Sequence, residues 1–192
     1  MARAPLGRQQ LLDSARDELT QGNGALELVA VTRRAGLSTG AVYHHFGSKI
    51  GLLEAIWEAF YEGLSQAIAD DRLPDTDWAT REQERTRHFV AYHFTQPLAS
   101  LLLNHVAPDP GLTELEAAYI QSLGEAAAAN IRRGQHSGEI AAAVDADSAG
   151  HYIIGGLRQG IAQQLRVTPR PEIDQVGERL WQLTAATLAL AK

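Results

Sequence analysis

Cysteine is absent from all 192 residues. Without a thiol the chain can build no disulfide framework, thiolate zinc site, iron–sulfur centre or cysteine nucleophile, a composition that suits a reducing cytoplasm. Long apolar runs are also missing: nothing approaches the roughly 18 residues of a membrane span, so no membrane partner is expected. The opening MARAPLGRQQ carries Arg3 and Arg8 with no apolar stretch behind them, and reads as a short arm rather than a secretory signal. Nor does the chain contain Glu-x-x-His, His-Glu-x-x-His or a phosphate-cradling glycine loop. Those gaps argue against an enzyme and imply no cofactor. A metal sensor would need histidines three or four apart with a third ligand nearby, and the adjacent His44 and His45 would point about 100° apart on a helix. No metal site is expected.

What is present is ordinary for a globular protein, 45% hydrophobic and 21% charged, and at this length a core can form without staples. The net charge of −6 is unevenly spread. Residues 1–50 hold six basic and four acidic residues, whereas 51–192 hold eleven basic and nineteen acidic. Such a body repels DNA and leaves the head as the one part able to approach it. Helix formers dominate and no stretch alternates apolar with polar residues long enough for a strand, so the expected fold is all-α with about nine helices. Leu11, Leu12, Ala15 and Leu19 form one stripe of a first helix over about 7–19, stopped by Gly22-Asn23-Gly24. A second, over 27–34, ends at Ala35-Gly36, and Ser38 is placed to cap a third over 39–45. This is the size and rhythm of a helix-turn-helix head.

Longer helices follow. Ser48 can cap a fourth that carries Leu52, Leu53, Ile56, Trp57, Phe60, Tyr61 and Leu64. The polar stretch 70–77 reads as a mobile loop, a fifth helix spans 79–95, and Pro97 starts a sixth that ends before Pro108. Thr113-x-x-Glu116 forms a capping box for a seventh lasting to about 135, Asp145 caps an eighth over 146–166, and the last runs over 172–191 behind Pro169 and Pro171. The expected division is a head of residues 1–50 and a body of residues 51–192.

Within the head, Ala35, Gly36, Leu37, Ser38, Gly40, Ala41, Val42, Tyr43, His45, Phe46, Ser48 and Lys49 match twelve of fifteen positions of one pattern. That pattern is the DNA-binding signature of the TetR family of bacterial regulators, which the stretch 8–60 resembles. Departures are Thr39 in place of a common lysine or arginine, Asn23 in place of an aromatic, and Glu27 in place of a capping threonine. Physically, a recognition helix must lead with small or polar side chains, because bulky ones hold it out of the major groove. Ser38, Thr39, Gly40 and Ala41 meet that need. Thr39 can bond a base edge and Ala41 can meet a thymine methyl, but neither is a strong bidentate reader, so DNA shape carries much of the discrimination. The resemblance implies that Tyr43, His44 and Lys49 touch phosphates, and Arg33 joins them as a candidate DNA contact. Val42 reads as core, while Phe46 and Tyr43 admit either role.

In the last helix Ile173, Val176, Leu180, Leu183, Thr187 and Leu190 repeat at intervals of three and four, a heptad seam that asks for another helix. The eighth helix offers Ile153, Ile154, Leu157, Ile161 and Leu165 beside Gly150, Gly155, Gly156 and Gly160, which would admit a close partner backbone. Together these suggest a homodimer through a four-helix interface, as the resemblance also implies, although both could pack within one monomer. A two-fold dimer sets two recognition helices about 34–36 Å apart on a pseudo-palindromic double-stranded operator. Aromatics and histidines gather in helices four to seven, and Trp57, Tyr61, His88, Phe89, Tyr92, His105 and Tyr119 are the candidates to line a pocket for a small organic effector. His88 and Tyr92 share one helix face and lead that set. The reading is a ligand-responsive regulator, a repressor released from its operator by that effector. Its rival is a helical small-molecule binding protein that does not regulate DNA.

Overall fold

The computed structural model describes residues 6–104 and 110–189, and among them all regular structure is helical. Nine α-helices appear: α1 Leu6–Gln21, α2 Leu28–Ala35, α3 Thr39–Phe46, α4 Lys49–Ala67, α5 Trp78–Thr95, α6 Ala99–Asn104, α7 Pro110–Ser137, α8 Ala146–Gln164 and α9 Ile173–Thr187. The positions of His105, Pro108 and Leu190 lie outside the described residues. None of the described helices is long and apolar enough to cross a membrane.

The first three helices close around a small core. Leu11, Leu12, Ala15 and Leu19 of α1 are buried as their stripe demands, and they meet Leu26, Val31 and Val42. Full burial of each large aliphatic side chain contributes about 1.5–3 kcal/mol relative to exposure. The turn between α2 and α3 depends on Gly36, whose φ of 67° is left-handed. In that conformation its N–H donates to Arg33 O at 3.3 Å and the Leu37 N–H donates to Thr32 O at 2.9 Å, satisfying carbonyls that the end of α2 leaves open. Ser38 occupies the cap position of α3, yet its hydroxyl makes no capping bond. Ser48 does cap α4, with Oγ accepting from Gly51 N at 2.9 Å. The head core then runs unbroken into α4 through Leu52, Leu53 and Ile56.

Around α4 the remaining helices form the body, with α7 along α8 and α5 along α9. At the first of these crossings a side chain on Gly150 would lie 2.6 Å from Ala128 N and 2.7 Å from Gly124 O. Only a glycine allows two backbones to approach so closely. The expected capping box at Thr113 and Glu116 is corrected: α7 begins earlier, with Pro110 at its first position, and Glu116 bonds elsewhere. Pro97 likewise precedes α6 by a turn, with Ala99 opening that helix. Asp77, not foreseen as a cap, accepts from Thr80 N at 2.9 Å and starts α5. The stretch 70–77, expected as a mobile loop, opens with a 3-10 turn at Asp70–Arg72. Asp70 is tied there to Arg85 at 2.5 Å and to Arg81 and Arg133 at 3.5 Å each.

Candidate nucleic-acid interface and ligand cavity

The outer side of the head presents the residues a duplex would meet. Val42, fully buried, anchors α3, and the positions on its other side stay in solvent: Ser38, Thr39 and Gly40 are exposed, Ala41 half-buried, Tyr43 55% exposed and His44 exposed. Because Ser38 spends no bond on capping, its hydroxyl remains available. Lys49 is exposed at the start of α4, where no acidic side chain pairs with it among the described residues. Arg33 is also exposed and makes no ion pair among the described residues. Its neighbour Arg34 is committed instead, donating to Asp17 at 3.3 Å and Gln21 at 2.8 Å. Phe46 is half-buried under the Arg8 guanidinium, 5.1 Å from the ring centre, and so serves packing rather than solvent. One feature escaped the sequence reading: Val29 is 71% exposed, four residues before Arg33 on α2. Its signal was an apolar residue standing off the buried stripe of Val31 and Thr32.

A cavity of about 510 Å³ lies in the body, bounded by the end of α4 and by α5, α7, α8 and α9. Trp78, Phe89, Leu123, Ile131, Ile154, Leu157, Trp181 and Leu188 make most of the wall apolar. One end is polar. There Glu82 accepts from Arg85 Nε at 3.0 Å and from Asn130 Nδ2 at 3.3 Å. Arg85 also bonds Asp70 and the Ile68 carbonyl, while Arg133 bonds the Asn130 side-chain oxygen. The Arg85 guanidinium holds the Asp70 carboxyl below the usual carboxylate range. Trp78 Nε1 is satisfied by Asn130 O at 2.7 Å.

Of the proposed pocket residues only Phe89 lines this cavity; Trp57, Tyr61, His88, Tyr92 and Tyr119 do not, and His105 lies outside the described residues. The reason is rotational. On α5 the wall is drawn from Trp78, Glu82, Arg85 and Phe89, spaced four, three and four, and His88 sits about 100° round the helix from Phe89. His88 instead lies between Glu84 at 3.9 Å and Arg87 at 3.4 Å. Tyr92 donates to Phe60 O at 2.7 Å, and Trp57 is buried in the core. The polar residues of the wall, Glu82, Arg85, Asn130 and Arg133, were missed because i, i+3 charges on a helix resemble a solvated face.

Tyr61 forms a separate cluster joining three helices. It is 1% exposed, stacks on Tyr119 with centroids 4.6 Å apart, and accepts from Arg158 Nη1 at 3.1 Å. Arg158 pairs with Glu116 at 2.7 Å, both side chains largely buried. Burial pushes the Tyr61 hydroxyl up to about 12, so it stays protonated at neutral pH. His93 is fully buried on α5, against Phe60 and Phe89. Its Nδ1–H donates to Phe89 O at 2.7 Å, which leaves Nε2 without a partner, and burial lowers its pKa to about 4. Among the described residues no group of three or more His, Cys, Asp or Glu stands ready to hold a metal ion.

The expected dimer residues divide. Leu157, Ile161, Val176 and Leu180 are buried within one copy of the chain, and Ile153 and Ile173 are half-buried, so these six do not form a free seam. An amphipathic stripe says that a face is covered without saying by what, and here α9 lies on α5 of the same chain. Leu183, 66% exposed, and Thr187 remain outside. The glycines of α8 divide too: Gly150 meets α7 and Gly160 meets Leu180, whereas Gly155 and Gly156 face open space near Tyr152, which is 70% exposed.

Comparison with known proteins agrees with the head. Residues 11–56 match the family model for bacterial regulatory proteins of the tetR family. The HTH-type transcriptional regulator BetI of Klebsiella pneumoniae is 35% identical over 82 residues, 41% of this chain and 42% of that protein. The chain thus aligns with less than half the length of this curated relative. In solved structures, SmeT, the repressor of the Stenotrophomonas maltophilia multidrug efflux pump SmeDEF, superposes with a TM-score of 0.78 at 19% identity, covering 96% of this chain and 90% of that one. The fatty acid degradation regulator FadR from Bacillus halodurans gives 0.75 at 16% identity with both chains fully covered. At such identities the likeness is one of fold.

Proposed function

We propose that the chain, whose head matches the tetR-family model over residues 11–56, is a TetR-family protein that acts as a homodimeric, cytoplasmic regulator of transcription. It binds operator DNA through residues 1–50 and senses a small organic molecule through residues 51–192. The observation that carries this is the α3 surface: slim polar positions in solvent, held by a buried Val42 and flanked by exposed Tyr43 and Lys49. Ser38, Thr39, Gly40 and Ala41 reach base edges, while Arg33, Tyr43, His44 and Lys49 take phosphates. A binder without DNA regulation would have no use for such a face. The task is binding rather than catalysis.

Two copies meet through the outer face of α8 and α9, where Tyr152, Gly155, Gly156, Leu183 and Thr187 lie uncovered. Effector in the cavity touches Ser65, Ile68 and Ala69 at one end of α4, and Arg85 grips the Ile68 carbonyl there. The other end of α4 begins at Lys49, so a tilt of this one helix changes the spacing of the two heads. A coupling of about 1–3 kcal/mol moves operator affinity roughly 5–150-fold, enough for release of a repressor.

The test is operator selection from random duplexes, followed by gel shift and footprinting. The expected result is sequence-selective binding that Tyr43→Ala with Lys49→Ala weakens by about tenfold or more. The same pair flattens the salt slope by about two per dimer, one for each lysine lost, without changing thermal unfolding. Binding that ignores sequence, or survives both substitutions, overturns the assignment.

A further inference from the structure

The polar end of the cavity is closed upon itself. Its four ionisable wall residues, Asp70, Glu82, Arg85 and Arg133, carry charges that cancel, and each is bonded to another member or to Asn130. Asn130, Thr86 and Thr184 are engaged as well. Asn130 uses its carbonyl on Trp78, its side-chain oxygen on Arg133 and its amide on Glu82, and the hydroxyls of Thr86 and Thr184 donate to their own helices. A carboxylate or phosphate reaching for Arg85 would have to take it from Glu82, whose side chain is only 13% exposed. An ammonium group reaching for Glu82 would strand Arg85, 15% exposed, in the same way. Either exchange leaves a buried charge without its partner, a strongly unfavourable outcome. An uncharged molecule faces neither penalty. It meets Trp78, Phe89, Ile131, Ile154, Leu157 and Trp181, and the space of about 510 Å³ is that of a drug-sized ligand site.

Resting on the effector cavity proposed above, we infer that its ligand is an uncharged, predominantly apolar organic molecule, and that organic anions and cations are excluded by the internally paired Glu82–Arg85–Asp70–Arg133 cluster. The polar end then works as a filter of ligand charge.

The experiment uses the full-length protein and dyes of related skeleton: neutral N-phenyl-1-naphthylamine, its anionic relative 8-anilinonaphthalene-1-sulfonate, and the trimethyl(1-naphthyl)ammonium cation. Affinities are read from dye emission and tryptophan quenching. The neutral dye is expected to bind at least about tenfold tighter than either ion, and Ala126→Trp or Ala127→Trp on the cavity wall is expected to weaken it by a similar factor. A merely greasy surface would show the same order, so Glu82→Gln decides. That change leaves the arginines in excess and should raise sulfonate affinity about tenfold while leaving the neutral dye within about twofold. Sulfonate or ammonium binding as tight as the neutral dye overturns the inference, as does sulfonate affinity unmoved by Glu82→Gln or neutral binding indifferent to both alanine substitutions. A gel shift on the selected operator separates the two readings. Operator bound while a charged dye wins removes the ligand class alone, and operator ignored while the dye pattern holds removes the regulator alone.

Discussion

The eight residues assigned to DNA fall between Arg33 and Lys49, and all but Ala41 are exposed. The cavity wall draws instead on residues from Ser65 to Leu188, on five helices, with Glu82 and Arg85 largely hidden. In the head, a rigid buried core displays side chains whose neighbours in space are neighbours in the chain. In the body, a side chain acquires its role only when a helix tens of residues away arrives beside it. The two regions should therefore answer substitution differently: changes at the head surface alter binding and spare stability, while changes at the body's polar clusters alter stability first.

The sharpest test is Arg158→Met. It leaves Glu116 largely buried without its cation and deprives the Tyr61 hydroxyl of a donor. Urea denaturation is expected to show a loss of about 3 kcal/mol, and adding Glu116→Gln should return part of it. An unchanged midpoint would place the cluster with surface pairs, which contribute little.

Next comes acid. His93 takes a proton only near pH 4 when folded, against 6.5 as its ordinary value, because burial disfavours the charged ring. Between those values the unfolded chain binds the proton and the folded chain does not, so stability is intact above 6.5 and falls as pH drops through the window. The contribution reaches about 3 kcal/mol at the bottom of that range. His93→Leu should flatten the profile of unfolding free energy between pH 6.5 and 4, and a slope that survives the substitution assigns the effect to other groups.

The smallest effect lies at the joint between the two regions. Ser48→Ala removes the hydroxyl that accepts from Gly51 N and should cost about 1 kcal/mol, seen as a fall of roughly 2–4 °C in thermal unfolding. If operator affinity falls as well, the start of α4 transmits to the head as proposed.

Much of the head was legible from residues alone. The left-handed turn needs Gly36, the stripe of Leu11, Ala15 and Leu19 must be buried, and Ser48 stands before a long apolar helix; each follows from contacts only a few residues apart. The body misled at particular places. Val176 and Leu180 form a seam, but it closes against their own chain, and His88 and Tyr92 share a face that does not meet the cavity. Glu116 reads as half of a capping box and is claimed by Arg158, 42 residues along the chain.

From the order of its amino acids alone the chain determined that it would be helical, where most helices begin and end, which stripes seek cover, and the surface of α3. Backbone hydrogen bonds, turns and helical period act over a few residues and leave their mark in local pattern. Tertiary packing alone decided which stripe covers which, and that Glu82, Arg85, Asp70 and Arg133 would neutralise one another beside an apolar space. Apolar burial has no direction and rewards any sufficient partner, so only the assembled helices select among them.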